Sequence, residues 1–285
     1  MRTLPVAVIA FCAASAPMHA QFGGLINKAK EKIDKARPVT DRAQRASETF
    51  QDWNTTEEQE IGAATATKMV AIFGLVDNPA MARYVNLVGQ SVAQFASRQI
   101  PYRFAILDTE IVGAYALPGG YVFLTRQALA GMKNEAELAG ALGHEIIHIS
   151  ERHLERAIRS KKSSAWAVEE AKSRAAAGSQ YLRNKADAFV TDLFNTTLSR
   201  DKEDGADERG TQLAIQAGYA ASGLHDFLQT LAQANGKDEN KQAFGQLLST
   251  HPPFEERIAR LAPIVERAAA TPGKTLEARF AAAVK

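Results

Sequence analysis

A helix that carries two histidines and a glutamate is the most restrictive feature of this 285-residue sequence. Residues 144–148 read His-Glu-Ile-Ile-His, and apolar residues recur around them at helical spacing. Positions four apart lie about 40° apart on one face of a helix, so both imidazoles can reach one metal ion. Glu145 can reach a water molecule bound to that metal. The pattern favours a metal-dependent hydrolase over the alternative, a core helix with two buried and hydrogen-bonded histidines.

Local signals also predict where this helix begins and ends. Asn134, followed three residues later by Glu137, is similar to a capping box and predicts a helix start. Apolar residues then continue at helical spacing to about Arg159. We therefore expect one continuous helix across residues 134–159.

A metal site of this kind needs a third protein ligand. His153 lies five residues after His148, about 140° round the helix, and no glycine between them breaks the helix. We reject His153 as a ligand and expect it to hydrogen-bond the helix flank. Glu203 and Asp207 are again four apart, so one can ligate the metal while the other accepts a hydrogen bond from a ligand imidazole. Two histidines, a glutamate and an open position are typical of catalytic zinc.

The rest of the pattern predicts an α+β fold that is predominantly helical. Helices are expected at residues 55–73, 80–96 and 188–217, with Thr55 and Thr56 as caps of the first. Short β-rich runs predict a single small sheet, with strands at residues 102–107, 112–117 and 121–125.

The amino-terminal residues are typical of a secretory signal. Residues 1–20 contain Arg2, an apolar run and a small residue at Ala20, which predicts a cleaved signal peptide. Cys12, the single cysteine, lies within it, so a disulfide framework is excluded. We divide the remainder into a polar helical lead-in at 21–50, a catalytic domain at 51–270 and a tail at 271–285. We expect no transmembrane segment in the mature chain, and a net charge of +2 gives no indication of nucleic-acid binding.

Several motifs in one order resemble the zinc metallopeptidase family that includes HtpX, BepA, LoiP and the CAAX prenyl endopeptidases. The resemblance covers about residues 55–265. Its pieces are Glu58–Gly62, Tyr84–Gly89, Ala116–Tyr121, Asn134–Ala139, the 144–148 motif followed by Arg152 and His153, Glu203–Asp207, and Ser249–Pro252. It implies a zincin-type domain with its small sheet beside the active-site helix, one Zn²⁺ per chain, and a location in the periplasm.

The resemblance also implies roles for individual residues. His144, His148 and Glu203 match the metal ligands, Asp207 matches the partner of a ligand, and Glu145 matches the general base. His251 matches a histidine near the metal, which either stabilises the oxyanion or occupies the open metal position. The alternative for His251 is a cap or turn residue before Pro252. The expected substrate contacts are Ala114, Tyr115 and Ala116 along an extended segment, and Tyr121 near the following turn.

One position departs from the family pattern. The family often has Asn-Ala before its Pro-Gly-Gly turn, and here the dipeptide is Gly113-Ala114. Gly113 has no side chain to hold a substrate backbone, so strand pairing must supply the grip. We expect an endopeptidase of the cell envelope that acts on misfolded or misassembled polypeptides. The alternative is a chaperone-like factor with a largely self-inhibited protease site that works with outer-membrane assembly components.

Overall fold

The computed structural model describes residues 53–161, 178–236, 241–270 and 272–284. The signal-peptide and lead-in predictions fall outside these ranges. The helices and strands run, in order: α1 Thr55–Phe73, α2 Pro79–Ala93, β1 Arg103–Leu107, β2 Ala114–Leu117, β3 Tyr121–Thr125, α3 Arg126–Gly131, α4 Glu135–Ser150, α5 His153–Lys161, α6 Gly178–Asn195, α7 Arg200–Gln216, α8 Gly223–Asn235, α9 Lys241–Thr250, α10 Phe254–Ala268 and α11 Glu277–Val284. In these ranges no helix has the length and apolar character needed to cross a membrane. The predicted α+β class is confirmed.

The three strands form one sheet in the order β1-β3-β2. The central strand β3 is fully buried, and it pairs parallel with β1 and antiparallel with β2. The Thr125 N–H donates to the Gly113 carbonyl, which sets the alternation of the β2–β3 ladder. Because hydrogen-bonding residues alternate along an antiparallel strand, Ala114 and Ala116 present their backbone N–H and C=O groups to the free edge of β2.

Helix α4, which carries the 144–148 motif, forms the centre of the molecule. Every residue from Glu135 to Ile149 is buried, and the Asn134 side chain accepts a hydrogen bond from the Glu137 N–H, as the capping signal predicts. Helices α7 and α8 pack against α4, and β2 lies beside it. A Cβ on Gly143 would lie 2.4 Å from the Gly210 carbonyl oxygen, so the absence of side chains lets α4 and α7 approach at backbone contact. This contact fixes the spacing of the helices that carry the predicted metal ligands.

Three expectations about local structure are wrong. Asn54, not Thr55 or Thr56, caps α1. The helix expected across residues 134–159 stops at Ser150, because Arg152 adopts a φ of 56° and α5 then begins at His153. The helix expected across residues 188–217 is two helices, with a break between Asn195 and Arg200.

The carboxyl-terminal segment is attached to the start of α4. The Thr275 carbonyl accepts hydrogen bonds from the N–H groups of Glu135 and Ala136. Arg279 of α11 forms a bidentate ion pair with the Glu135 carboxylate, and the Phe280 side chain is fully buried. Residues 274–284 lie within the segment 271–285 that the sequence analysis calls a tail, and they stabilise the amino-terminal end of α4.

Candidate metal centre

Four side chains from three parts of the chain converge on one buried point. The Nε2 atoms of His144 and His148 lie 2.9 Å apart, as their spacing on α4 predicts. Glu203, from α7, has carboxylate oxygens 3.7 Å from His144 Nε2 and 3.6 Å from His148 Nε2. His251, directly after α9, lies with its Nε2 3.7 Å from Glu203. The four candidate ligand atoms all lie within 4.8 Å of one another, a cluster that can hold a metal ion.

The partners of His144 fix the orientation and tautomer of its ring. His144 Nδ1 lies 2.9 Å from an Asp207 oxygen, and Arg257 donates two hydrogen bonds to the same carboxylate, at 2.6 and 2.9 Å. Burial opposes the charge on Asp207, but Arg257 outweighs it and holds the pKa of Asp207 well below its usual range. Asp207 therefore accepts the Nδ1 proton of His144 and leaves the Nε2 lone pair for a metal. Burial would lower the pKa of His144, and the bond to Asp207 raises it overall.

His148 has a different partner. Its Nδ1 lies 3.0 Å from Nδ1 of His153, and His153 Nε2 lies 3.1 Å from Glu151. Glu151 in turn pairs with Arg209 of α7 at 2.5 Å. Burial and the neighbouring His144 lower the pKa of His148 well below its usual value, so this ring is neutral near pH 7. A neutral His148 that donates from Nδ1 to His153 also directs its Nε2 lone pair at the cluster.

Glu203 supplies the test of whether a cation fits. Its side chain is 1% exposed, and neither carboxylate oxygen has a hydrogen-bond partner among the described residues. Burial raises the pKa of Glu203 to about 7. A buried carboxylate without donors is costly unless a cation compensates it. Two imidazole lone pairs and this carboxylate face one another, so the donor set fits a divalent metal ion.

Glu145 lies beside this cluster and is buried. Burial raises the pKa of its carboxyl, while the positive neighbours and a hydrogen bond from the Ala116 backbone lower it. The free edge of β2 and Glu145 are therefore in direct contact. A carboxyl group in this position can accept a proton and return it within one reaction cycle.

Two clefts open from this point, and both are lined by Glu145, His251 and the segment Val112–Ala114. We call the first the α6 cleft. It encloses about 540 Å³ including its mouth, and its other lining residues include Leu193, Thr196, Leu198 and Gln246. We call the second the α8 cleft. It encloses about 430 Å³ and extends between α4, α8 and β3.

The structure places most, but not all, of the sequence-predicted residues together. Ala114, Tyr115 and Ala116 line the α6 cleft beside Glu145, and Gly113 lines both clefts. Tyr121 lines neither cleft, because its ring packs under the Arg103 guanidinium, 5.1 Å from the ring centroid.

Two site residues have roles that the sequence reasoning did not assign. Arg257, at the start of α10, is the buried counterion of Asp207. His153 is outside the metal cluster, in agreement with its rejection as a ligand, but it is the hydrogen-bond partner of His148. The adjacent Arg152-His153 pair was the available signal, and the break before α5 places His153 against His148.

Several known proteins are similar to this chain in sequence. The beta-barrel assembly-enhancing protease of Escherichia coli (strain K12) is 26% identical over 212 residues, which cover 71% of this chain and 42% of that protein. Metalloprotease YcaL of the same organism is 27% identical over 161 residues, 56% of this chain and 61% of the relative. The mitochondrial metalloendopeptidase OMA1 of Arabidopsis thaliana is 29% identical over 172 residues, 57% of this chain and 31% of the relative. The chain thus spans less than two thirds of the length of these relatives.

A family comparison covers more of the catalytic region. Residues 79–265, roughly two thirds of the chain, match the description Peptidase family M48. This region includes α4, α7 and His251, and so every residue of the metal cluster. A metal-binding cluster with a buried carboxyl beside it is the arrangement that a metallopeptidase requires, and the chain belongs to peptidase family M48.

Proposed function

We propose that this protein is a zinc-dependent endopeptidase, with His144, His148 and Glu203 as metal ligands and Glu145 as the general base. The observation that carries the proposal is the buried Glu203 carboxylate, which lacks donors among the described residues and faces two imidazole lone pairs. Two histidines and a glutamate are the protein ligands of catalytic zinc in several hydrolases, which keep a further position for water or substrate.

The residues divide the chemistry between them. An extended peptide pairs with the free edge of β2 at Ala114, whose backbone N–H and C=O compensate for the absent side chain of Gly113. Zinc, when bound, polarises the scissile carbonyl and acidifies water. Glu145 removes the proton from the attacking water and later delivers it to the leaving amine, a task suited to its raised pKa. Asp207 and His153 hold the ligand rings in the productive tautomer.

Two roles are compatible with the position of His251. Its Nε2 belongs to the four-residue cluster, so it can complete a tetrahedral set and close the open position. If it moves away, the same nitrogen can donate a hydrogen bond to the oxyanion. A His251→Ala variant separates the roles, because faster cleavage indicates a resting-state ligand and slower cleavage indicates an oxyanion donor.

For location and substrates we propose the periplasm and misassembled envelope proteins. Support comes from the signal-like residues 1–20 and from relatives named beta-barrel assembly-enhancing protease. The chaperone-like alternative with a largely self-inhibited protease site is less favoured, because the relatives that this chain resembles are named as proteases.

The test combines metal analysis with cleavage of fluorescent casein by the purified mature protein. We expect one zinc per chain and cleavage that a chelator abolishes. Glu145→Gln should keep the metal and lose about 10²- to 10⁴-fold in kcat/KM, the range for removal of a general base. Glu208→Gln makes the same chemical change on the exposed face of α7 and should cleave like the wild type. Full activity in Glu145→Gln would contradict the assignment.

A further inference from the structure

We propose that Glu58 is a positioning residue of the peptidase, which acts on the metal ligand His148 through Arg152 and His153. This inference rests on the proposed peptidase function and adds a residue of α1 to the machinery of the site. Glu58 is not a member of the metal cluster and lines neither of the two clefts that open from it. Its carboxylate instead holds the break between α4 and α5, and this break determines where the partner of His148 lies.

The Glu58 carboxylate is buried and has two positively charged partners. Arg98 donates to both of its oxygens, at 2.5 and 2.7 Å. The Arg152 guanidinium lies 3.1 Å from one oxygen, and the Gly119 N–H donates to the other, also at 3.1 Å. A buried carboxylate is stable only with charged or hydrogen-bonding partners, and charge-assisted bonds of this kind fix its position closely.

Arg152 is the residue at which the chain turns between α4 and α5. Its φ is 56°, in the left-handed region where helices often end, and glycine is the usual residue there. A side chain makes this conformation unfavourable, so contacts elsewhere must stabilise it. The ion pair with Glu58 and a hydrogen bond from Arg152 to the Trp53 carbonyl, at 2.9 Å, provide that stabilisation. Glu58 therefore favours the left-handed turn over continuation of α4.

The turn at Arg152 places the next residue, His153, against the metal ligand. Nδ1 of His153 lies 3.0 Å from Nδ1 of His148. On an uninterrupted helix, residues five apart point about 140° away from each other, so the two rings would not meet. Glu58, Arg152 and His148 also line one small cavity, about 230 Å³ including its mouth, which shows how close these groups lie. The contacts of Arg152 and His153 thus carry an effect of Glu58 to the ring of His148.

The first experiment measures zinc affinity by chelator competition in a double-mutant cycle of Glu58→Gln and His153→Ala. Glu58→Gln removes the charge that pairs with Arg152 but keeps an oxygen that can accept from the Gly119 N–H. We expect Glu58→Gln alone to raise the zinc dissociation constant by about 3- to 30-fold, the range for residues that act through a neighbour. In a His153→Ala background the same change should have an effect below about twofold, because the partner that Glu58 positions is absent. Equal effects in both backgrounds would overturn the inference.

Arg98→Gln is the matched control for a loss of stability without a loss of positioning. It removes a partner of the same carboxylate and leaves the pair of Glu58 with Arg152 in place. We expect it to lower stability in denaturant unfolding, as Glu58→Gln does, while its zinc affinity stays within about twofold of the wild type. If Arg98→Gln lost as much zinc affinity as Glu58→Gln, the role of Glu58 would be support of the fold alone, contrary to the inference.

A substitution at the turn itself tests the mechanism by rescue. Arg152→Gly removes the guanidinium, but glycine adopts a left-handed φ without steric cost. We expect the double variant Glu58→Gln/Arg152→Gly to bind zinc at least about threefold more tightly than Glu58→Gln alone, whereas Glu58→Gln/Arg152→Ala should show no recovery. Thermal unfolding confirms that each variant is folded, and a folded glycine variant without recovery would refute the assignment. Absence of zinc binding in the wild type would contradict the proposed function itself, and the inference with it.

Discussion

The contact between Asp207 and His144 allows a quantitative test of how the site is held. Asp207→Asn keeps the size of the side chain and removes its charge. A neutral amide in this place is not able to serve both as acceptor for the His144 proton and as counterion for Arg257, whose guanidinium is 4% exposed. The variant therefore changes metal binding and folding stability through two separate contacts of one side chain.

Each contact has an expected magnitude. Loss of a hydrogen-bond partner behind a ligand imidazole typically weakens metal binding by about 10- to 100-fold. Removal of one member of a buried ion pair leaves an uncompensated charge and costs about 3–5 kcal/mol. We expect the metal-free Asp207→Asn protein to lose stability in that range, and its zinc dissociation constant to rise by one to two orders of magnitude.

The assays are chelator competition for zinc affinity and denaturant unfolding of the metal-free protein. Asp204→Asn is the matched control, because Asp204 pairs with Arg260 of α10 at 2.6 Å but does not touch His144. That pair is partly exposed, so its loss should cost about 0–1 kcal/mol and leave zinc affinity unchanged. Equal zinc affinity in wild type and Asp207→Asn would refute the argument that the carboxylate orients the ligand.

Three further predictions, two of them with a control variant, test other parts of the structure. His153→Ala should weaken zinc binding about 10-fold or more by freeing the second ligand imidazole, while His153→Gln should recover part of the affinity, as measured by chelator competition. Gly210→Ala places a Cβ 2.5 Å from a backbone nitrogen of α4, so it should lower the free energy of unfolding by about 1–3 kcal/mol and weaken zinc binding. The control Gly205→Ala meets only the flexible end of an arginine side chain, and it should stabilise α7 slightly in the same unfolding assay. Arg279→Ala should cost about 1 kcal/mol at pH 7, because the arginine is more than half exposed. Burial would raise the pKa of Glu135, but the hydrogen bonds from Arg279 and two tyrosines outweigh it and lower that pKa overall. The stabilising contribution of the Glu135 carboxylate is therefore present above about pH 4.3 and is lost as the pH falls through its lowered pKa in the folded state. The difference in stability between wild type and Arg279→Ala should accordingly vanish in unfolding curves recorded at acid pH.

The parts of this fold that local sequence determines were predicted well. The start of α4 follows from the reciprocal Asn134 and Glu137 side chains, which are three residues apart. Strand β3 has the predicted bounds, because five consecutive β-forming residues end at Thr125, which caps α3. The convergence of His144, His148 and Glu203 followed from helical spacing together with the family resemblance, since no local rule relates α4 to α7.

The features that were missed depend on distant contacts. The break after α4 needs Arg152 in a left-handed conformation, which is unfavourable for a residue with a side chain. Its guanidinium donates to the Trp53 carbonyl at 2.9 Å and pairs with Glu58 at 3.1 Å, both about a hundred residues away in sequence. These contacts offset the local cost, and a helix pattern read from residues 134–159 does not contain them. The position of His153 behind a ligand therefore follows from an interaction between α1 and the end of α4.

The charges of the site explain why the pKa values of the buried Glu203 and Glu145 are raised while that of the buried Asp207 is lowered. Asp207 and Arg257 form a paired, internally neutral unit, and for this reason the pKa of Asp207 is low. Glu203 and Glu145 have no such counterion, so burial raises the pKa of both. When both are ionised, the carboxylates of Glu203 and Glu145 carry a charge of −2, and the neutral imidazoles beside them do not compensate it. A divalent cation neutralises this charge. Burial also lowers the pKa of His153, so a neutral His153 accepts the Nδ1 proton of His148 and adds no charge to the site.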